Sequence, residues 1–181
     1  MGKKSFVEPA IDDFKKLSYK ILNDYDHIIL ELNLKDFVSF SPKKGKIDTV
    51  KESEANQIAD LRRYLHDPDN KNPLSQEEIQ RAKIKSENFC IKINDKIVST
   101  ASTPGLGNDY FIITEVITNP EYRNLCLAKA TCSALIKHMQ KIGAKKAVVF
   151  TSRDNEIAKA LYQQLGFKII DDWIFAILKR S

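Results

Sequence analysis

Apolar positions recur along this chain with two periods, and the changes of period divide it into elements. Ile11, Phe14, Leu17 and Ile21 recur at helical spacing, and residues 27–32 form a strand-rich run. Ser41-Pro42-Lys43-Lys44-Gly45-Lys46 then reads as a loop. Residues 47–50 predict a short strand. Ser53 is placed to N-cap a helix whose apolar stripe is Ile58, Leu61 and Leu65. The breaker Asp67-Pro68-Asp69-Asn70 ends it. Ser75 and Glu78 form a capping box, with Leu74 and Ile79 as a hydrophobic staple, and predict a second helix through residue 85. Residues 89–93 and 96–103 flank Asn94-Asp95 as a hairpin. After a Pro/Gly loop at 104–108, residues 110–118 predict one long strand, stopped at Pro120.

A long helix is predicted over 127–142, with Ala128, Cys132, Leu135, Ile136 and Met139 on one face and Gly143 closing it. Ala147-Val148-Val149-Phe150 reads as a strand buried on both faces. Residues 155–165 read as a helix with Ile157, Ala158, Leu161 and Leu165 inward, ended by Gly166. Residues 167–170 and 173–178 flank Asp171-Asp172 as a final hairpin. From residue 47 the order is β-α-α-β-β-β-α-β-α-β-β. The fold class is therefore α/β, a mixed sheet with helices on both faces. The organisation expected is an α-β extension over 1–45, to which no chemistry is assigned, and one domain over 46–181.

Composition narrows the function classes. The chain has 181 residues with 43% hydrophobic and 29% charged, as in an ordinary globular domain with a core. The net charge of +5 is spread among 24 acids. No basic run with interleaved aromatics stands out, so a nucleic-acid partner is not expected. The three cysteines, Cys90, Cys126 and Cys132, form no CxxC pair. Neither a disulfide framework nor a metal site is expected, and a reducing cytoplasm is the default. The polar N-terminus shows no secretory h-region, and no apolar run reaches the length of a membrane span.

The most informative segment is Val116-Ile117-Thr118-Asn119-Pro120-Glu121-Tyr122-Arg123-Asn124-Leu125-Cys126-Leu127-Ala128. A strand stops at a proline, a polar turn follows, and a helix begins. The first amides of a helix lack partners and, with its dipole, form an anion site that Arg123 can reinforce. Physics alone leaves this reading open, because every strand-to-helix turn has the same form and Arg123 can equally be a solvated surface residue.

This segment resembles motif A of the GNAT N-acetyltransferase superfamily, a strand feeding a turn Arg/Gln-x-x-Gly-x-Gly/Ala. Here the turn is Arg123-Asn124-Leu125-Cys126-Leu127-Ala128. Asn155-Glu156-Ile157-Ala158-Lys159-Ala160-Leu161-Tyr162-Gln163-Gln164-Leu165-Gly166-Phe167 is similar to motif B, with the Asn-x-x-Ala-x-x-Leu-Tyr-x-x-x-Gly-Phe spacing matched in full. The resemblance covers residues 47–179. It departs from the pattern at Cys126, where the motif has Gly, and at Asn124, often Gly in relatives.

The resemblance implies a GNAT-like fold whose central strands splay to admit acetyl-CoA, the cosubstrate, with no metal. Val116, Ile117 and Thr118 would border the pantetheine arm, with Val116 and Thr118 pairing to it through the main chain. The pyrophosphate would sit on the amides of Asn124, Leu125, Cys126, Leu127 and Ala128, near Arg123 and Lys129. Asn155 would cap its helix, contact the pantetheine arm, or both. Tyr162 would protonate the departing thiolate as general acid. Glu115 is either the base that deprotonates the amine or a carboxylate paired with a surface cation. The Glu base of histone-type relatives aligns near Ile112 and is not carried over. Cys126 as nucleophile is not expected, since no His lies nearby. Residues 67–73 and 104–109 would frame the acceptor, and Asp67, Asp69 and Asp109 would favour a cationic amine. The partners implied are acetyl-CoA and an amine acceptor, either a small molecule or a protein lysine or N-terminus, with a homodimer as the assembly to test. The rival classes are an acyl-CoA binder without turnover and a nucleic-acid-binding protein, which would show steep salt-dependent retention on DNA or RNA.

Overall fold

The computed structural model describes residues 2–3, 19–66, 71–83 and 87–180. Of the predicted first helix, Ile11, Phe14 and Leu17 lie outside these residues, and Ile21 lies in a strand. The strands are β1 (Gly2–Lys3), β2 (Tyr19–Asn33), β3 (Lys46–Thr49), β4 (Glu87–Ile93), β5 (Lys96–Thr103), β6 (Tyr110–Ile112), β7 (Thr114–Thr118), β8 (Lys146–Ser152) and β9 (Lys168–Arg180). The helices are α1 (Ala55–His66), α2 (Gln76–Ala82), α3 (Leu127–Lys141) and α4 (Glu156–Gln164). The strands form two sheets, in the orders β1-β9-β2-β8-β6 and β3-β4-β5-β7. Only β6 and β8 run parallel among these pairs.

Alternation along β4 puts helices on both faces of the second sheet. Cys90 packs with Ile58, Leu61 and Ala82 of α1 and α2, whereas Ile91 and Ile93 pack with Leu127 and Ala130 of α3. In the first sheet Ile28, Leu30 and Leu32 of β2 share a core with Leu135, Ile136 and Met139 of α3, Tyr162 of α4 and Leu165, which caps α4. Asn94 and Asp95 both take positive φ, 51° and 60°, and make the tight hairpin turn expected between β4 and β5. The Ser75–Glu78 capping box is present at α2.

Several expectations are corrected. Residues 110–118 are two strands in different sheets: β6 follows β8 as far as Val148, Ile113 N–H donates to Val148 O (2.8 Å), and β7 then pairs with β5. Glu115 takes φ 51°, and the β5–β7 register slips between Thr100 and Ser102. This bulge turns β7 away from β8 and opens the splay. Residues 168–180 form one strand, not a hairpin. Asp171 and Asp172 pair opposite Ile29 and Ile28 of β2, and a register shift leaves Ile170 as an extra residue. Arg153 holds the Asp172 carboxylate at 2.5 Å and the Asp171 carboxylate accepts from Asp172 N–H (2.9 Å), so the two acids sit within a ladder instead of in a turn.

The slot between β8 and β9 is filled by β2, a strand from the N-terminal side. β8 alternates instead of burying both faces: Phe150 is 37% exposed, edge-on to Trp173 with ring centroids 5.4 Å apart. Ser53 does not cap α1; a 3-10 turn, Glu52–Glu54, precedes that helix, and Lys51 N–H donates to the Glu54 carboxylate (2.9 Å). Leu65 and Ile157 face outward, at 52% and 84% exposure. No helix among the described residues is long and apolar enough to cross a membrane.

Candidate functional site

The splay creates a cleft of about 690 Å³. One wall is β7. Asn119 N–H donates to Val98 O (2.9 Å), and Ile117 pairs opposite Thr100. By the two-residue alternation of antiparallel pairing, the amides and carbonyls of Val116 and Thr118 face away from β5, into the cleft. The strand is fixed from behind. Ser99 Oγ and Thr118 Oγ1 are hydrogen-bonded at 2.9 Å, and buried Thr131 lies 3.1 Å from Ser99 while donating to Leu127 O. These hydroxyls tie β5, β7 and α3 together.

Asn119 ends the strand. It is buried, its Oδ1 accepts from Glu121 N–H (3.0 Å), and Pro120 opens a 3-10 turn over Pro120–Tyr122. The chain then enters α3 through two left-handed residues, Asn124 at φ 63° and Cys126 at φ 58°. These are the two positions where the motif has glycine or often has it. Cys126 is the N-cap residue but supplies no side-chain cap. Among the described residues, no protein group accepts from the amides of residues 124–129. An L-residue in this conformation costs about 1–2 kcal/mol. The result is a row of free N–H groups at the positive end of a 15-residue helix, an arrangement fitted to an anion such as a pyrophosphate. Arg123 is exposed beside it.

The opposite wall is α4. Asn155 Oδ1 accepts from Ala158 N–H (3.0 Å), so the cap role is filled and its Nδ2 is left for the cleft. Tyr162 lines the cleft at 6% exposure and packs edge-on to Phe167. Burial, with a smaller contribution from Cys132, pushes the Tyr162 phenol well above its ordinary value, so it keeps its proton at neutral pH. Lys129 Nζ donates to Gln164 Oε1 (2.5 Å) and lies 4.6 Å from the centre of the Phe40 ring.

Val116, Ile117, Thr118, Arg123, Asn124, Cys126, Leu127, Ala128, Lys129, Asn155 and Tyr162 thus line one cleft. Leu125 and Glu115 do not line it. The Glu115 carboxylate pairs with Arg62 Nη2 at 2.7 Å, and its carbonyl accepts from Thr100 Oγ1 (3.1 Å). Asp67 and Asp69 lie outside the described residues, and Asp109 pairs with Lys145 at 3.8 Å. Cys90 and Cys132 are buried and Cys126 exposed, all as free thiols. Burial pushes both buried thiols up to about 12. Among the described residues no group of His, Cys, Asp and Glu is arranged to hold a metal.

The cleft residues missed by sequence reasoning are Tyr64 and Leu65 of α1, Tyr122, and Ile157, Ala158, Ala160, Leu161 and Gln164 of α4. Their signal was available: Leu65 and Ile157 are apolar residues at the margins of their helical stripes. Tyr64 also borders a second cavity of about 460 Å³, with Asp60, Arg63 and residues 71–74.

Comparison with known proteins agrees with this geometry. The family described as "Acetyltransferase (GNAT) family" matches residues 55–167. A 64-residue stretch is 42% identical to a mycothiol acetyltransferase of Paenarthrobacter aurescens, covering 35% of this chain. That stretch spans 19% of the relative's length. A GNAT-family protein from Novosphingobium aromaticivorans superposes with a TM-score of 0.70 at 18% identity, over 91% of this chain and 68% of its own. The ribosomal-protein-S18-alanine N-acetyltransferase of Escherichia coli gives 0.57 at 19% identity, over 74% and 93%. At these identities the two structures speak to the fold alone. The family match, spanning the splayed strands, the α3 turn and α4, identifies this chain as a member of the acetyltransferase (GNAT) family, whose chemistry is acyl transfer.

Proposed function

We propose that this chain transfers the acetyl group of acetyl-CoA to a primary amine by direct attack within a ternary complex. The observation that carries the reading is one cleft in which an open strand edge leads to a row of partnerless amides. A pantetheine arm carries amides able to pair with Val116 and Thr118 as an added strand would. The amides of residues 124–128, with Arg123 and Lys129, suit its pyrophosphate. Asn155 Nδ2 offers a further donor to the arm.

In the step proposed, the amine nitrogen forms a bond to the thioester carbonyl carbon and the carbon–sulfur bond breaks. A free β7 amide steadies the oxyanion. Tyr162 gives its proton to the departing thiolate, and the proton lost by the amine passes to solvent or to a carboxylate. Glu115 enters as that carboxylate only if it leaves Arg62, so its pair favours ordering the β7 bulge over proton abstraction. The acceptor is a small-molecule amine, a protein lysine or an N-terminus, approaching past Tyr64 and Leu65.

We propose the 45/46 division as a boundary of role rather than of folding: residues 46–181 hold the reacting groups, and β2 supplies a strand to their sheet. The free thiols suit a reducing cytoplasm. The test is thermal. A ligand at 100 times its Kd adds about 2.7 kcal/mol, or about 5–10 °C in Tm at this size. Acetyl-CoA should give such a rise, smaller in Arg123→Ala; no rise at millimolar ligand overturns the reading.

A further inference from the structure

The N-terminal segment reaches Lys129, a residue that lines the cleft. After β2, residues 34–40 cross α3 and α4. Leu34 N–H donates to Lys145 O, Val38 N–H to Leu165 O (3.1 Å), and Phe40 N–H to the buried Ser133 hydroxyl (3.0 Å). Gly166 is shaped to this strap: a Cβ there would lie 2.6 Å from Asp36 O. Ser133 and Lys129 are four residues apart on α3 and share a face, so anchoring Phe40 at Ser133 sets its ring against Lys129. The ring centroid is 4.6 Å from Nζ, within cation–π range, and Gln164 Oε1 also accepts from the ammonium. Lys129 is the cation one turn into the helix whose first amides form the anion cradle.

We infer that Phe40 is a positioning residue for the anionic ligand: it holds the Lys129 ammonium at the cradle before the ligand arrives. This rests on the proposed coenzyme A site. A free lysine loses rotamer freedom when it engages a phosphate, and a lysine already stacked and hydrogen-bonded has less to lose. The side chain that confines it comes from residues outside the 55–167 family match, which gives the N-terminal segment a role in ligand affinity.

The experiment is a double-mutant cycle on coenzyme A affinity, read by calorimetry with the full chain. Phe40→Leu keeps an apolar side chain and removes the ring face; Lys129→Met keeps the stem and removes the charge. A contact of this kind corresponds to about a two- to fivefold change in Kd. Phe40→Leu should weaken binding by that factor in the parent and by less than about 1.5-fold in Lys129→Met, and Phe40→Trp should restore it. Equal effects of Phe40→Leu in both backgrounds, or no effect in either, overturn the inference while leaving the cofactor site standing. Parent protein that binds no coenzyme A overturns both.

Discussion

Cys126→Gly should leave the protein at least as stable and its coenzyme A affinity equal or higher. Cys126 sits at φ 58°, ψ 20°, where a side chain costs about 1–2 kcal/mol that glycine does not incur. Glycine's greater freedom in the unfolded chain offsets about 0.5–1 kcal/mol of that gain. The net stabilisation is about 0–1.5 kcal/mol, or up to about 6 °C in Tm for a chain of this size. No side-chain cap is lost, because Cys126 provides none. The assay is paired urea and thermal unfolding of the parent, Cys126→Gly, Cys126→Ser and Cys126→Val, with coenzyme A affinity measured on each. Serine should behave like the parent and valine should lose stability, since β-branching sits badly at positive φ. A glycine variant less stable than the parent, or one that stays folded but loses binding, refutes this reasoning and gives the thiol a role of its own.

Tyr162→Phe should keep coenzyme A affinity and lower kcat by about two to four orders of magnitude, the scale of general-acid catalysis; steady-state kinetics beside calorimetry decide, and a parental kcat returns Tyr162 to the core. Gly166→Ala should destabilise by about 2–4 kcal/mol, from its φ of +102° and the 2.6 Å approach to Asp36 O, read by urea melts. Glu78 gives a pH signature. Arg63 first, then the Ser75 amide and hydroxyl, hold its carboxyl down from 4.5 to about 2. Its contribution is therefore present above the ordinary value and is lost as pH falls through about 2. The stability gap between parent and Glu78→Gln should be constant near neutrality and close across that acid window; a gap that persists at the acid end refutes the pairing.

The local elements and the turn were legible in the sequence because their signals are local. The Ser75–Glu78 box, the Asn94-Asp95 hairpin, the Asn155 cap and the strand stop at Asn119-Pro120 each follow from a few adjacent residues. Placement of β2 between β8 and β9 was not legible, since pairing partners more than a hundred residues apart leave no local trace. The same limit hid the fate of Asp171-Asp172, which looks like a turn until Arg153 is brought against it. Nothing in the apolar run at 110–118 marks the bulge at Glu115, because its left-handed φ goes with the passage of the chain from one sheet to the other, which no adjacent residue signals. Ile157 was misassigned because it adjoins Ala158 at the edge of the stripe, and one step of 100° separates core from cleft.

The central proposal is that acetyl-CoA and an amine react in this cleft. The most direct test is to follow thiol release from acetyl-CoA while the protein is offered polyamines, amino acids, aminoglycosides and lysine peptides, with the products checked by mass. The expected result is saturable thiol release with at least one amine, matched by an equal amount of acetylated product and largely lost in Tyr162→Phe. Saturable binding of acetyl-CoA with no thiol release above the protein-free rate for any amine in the panel would contradict it.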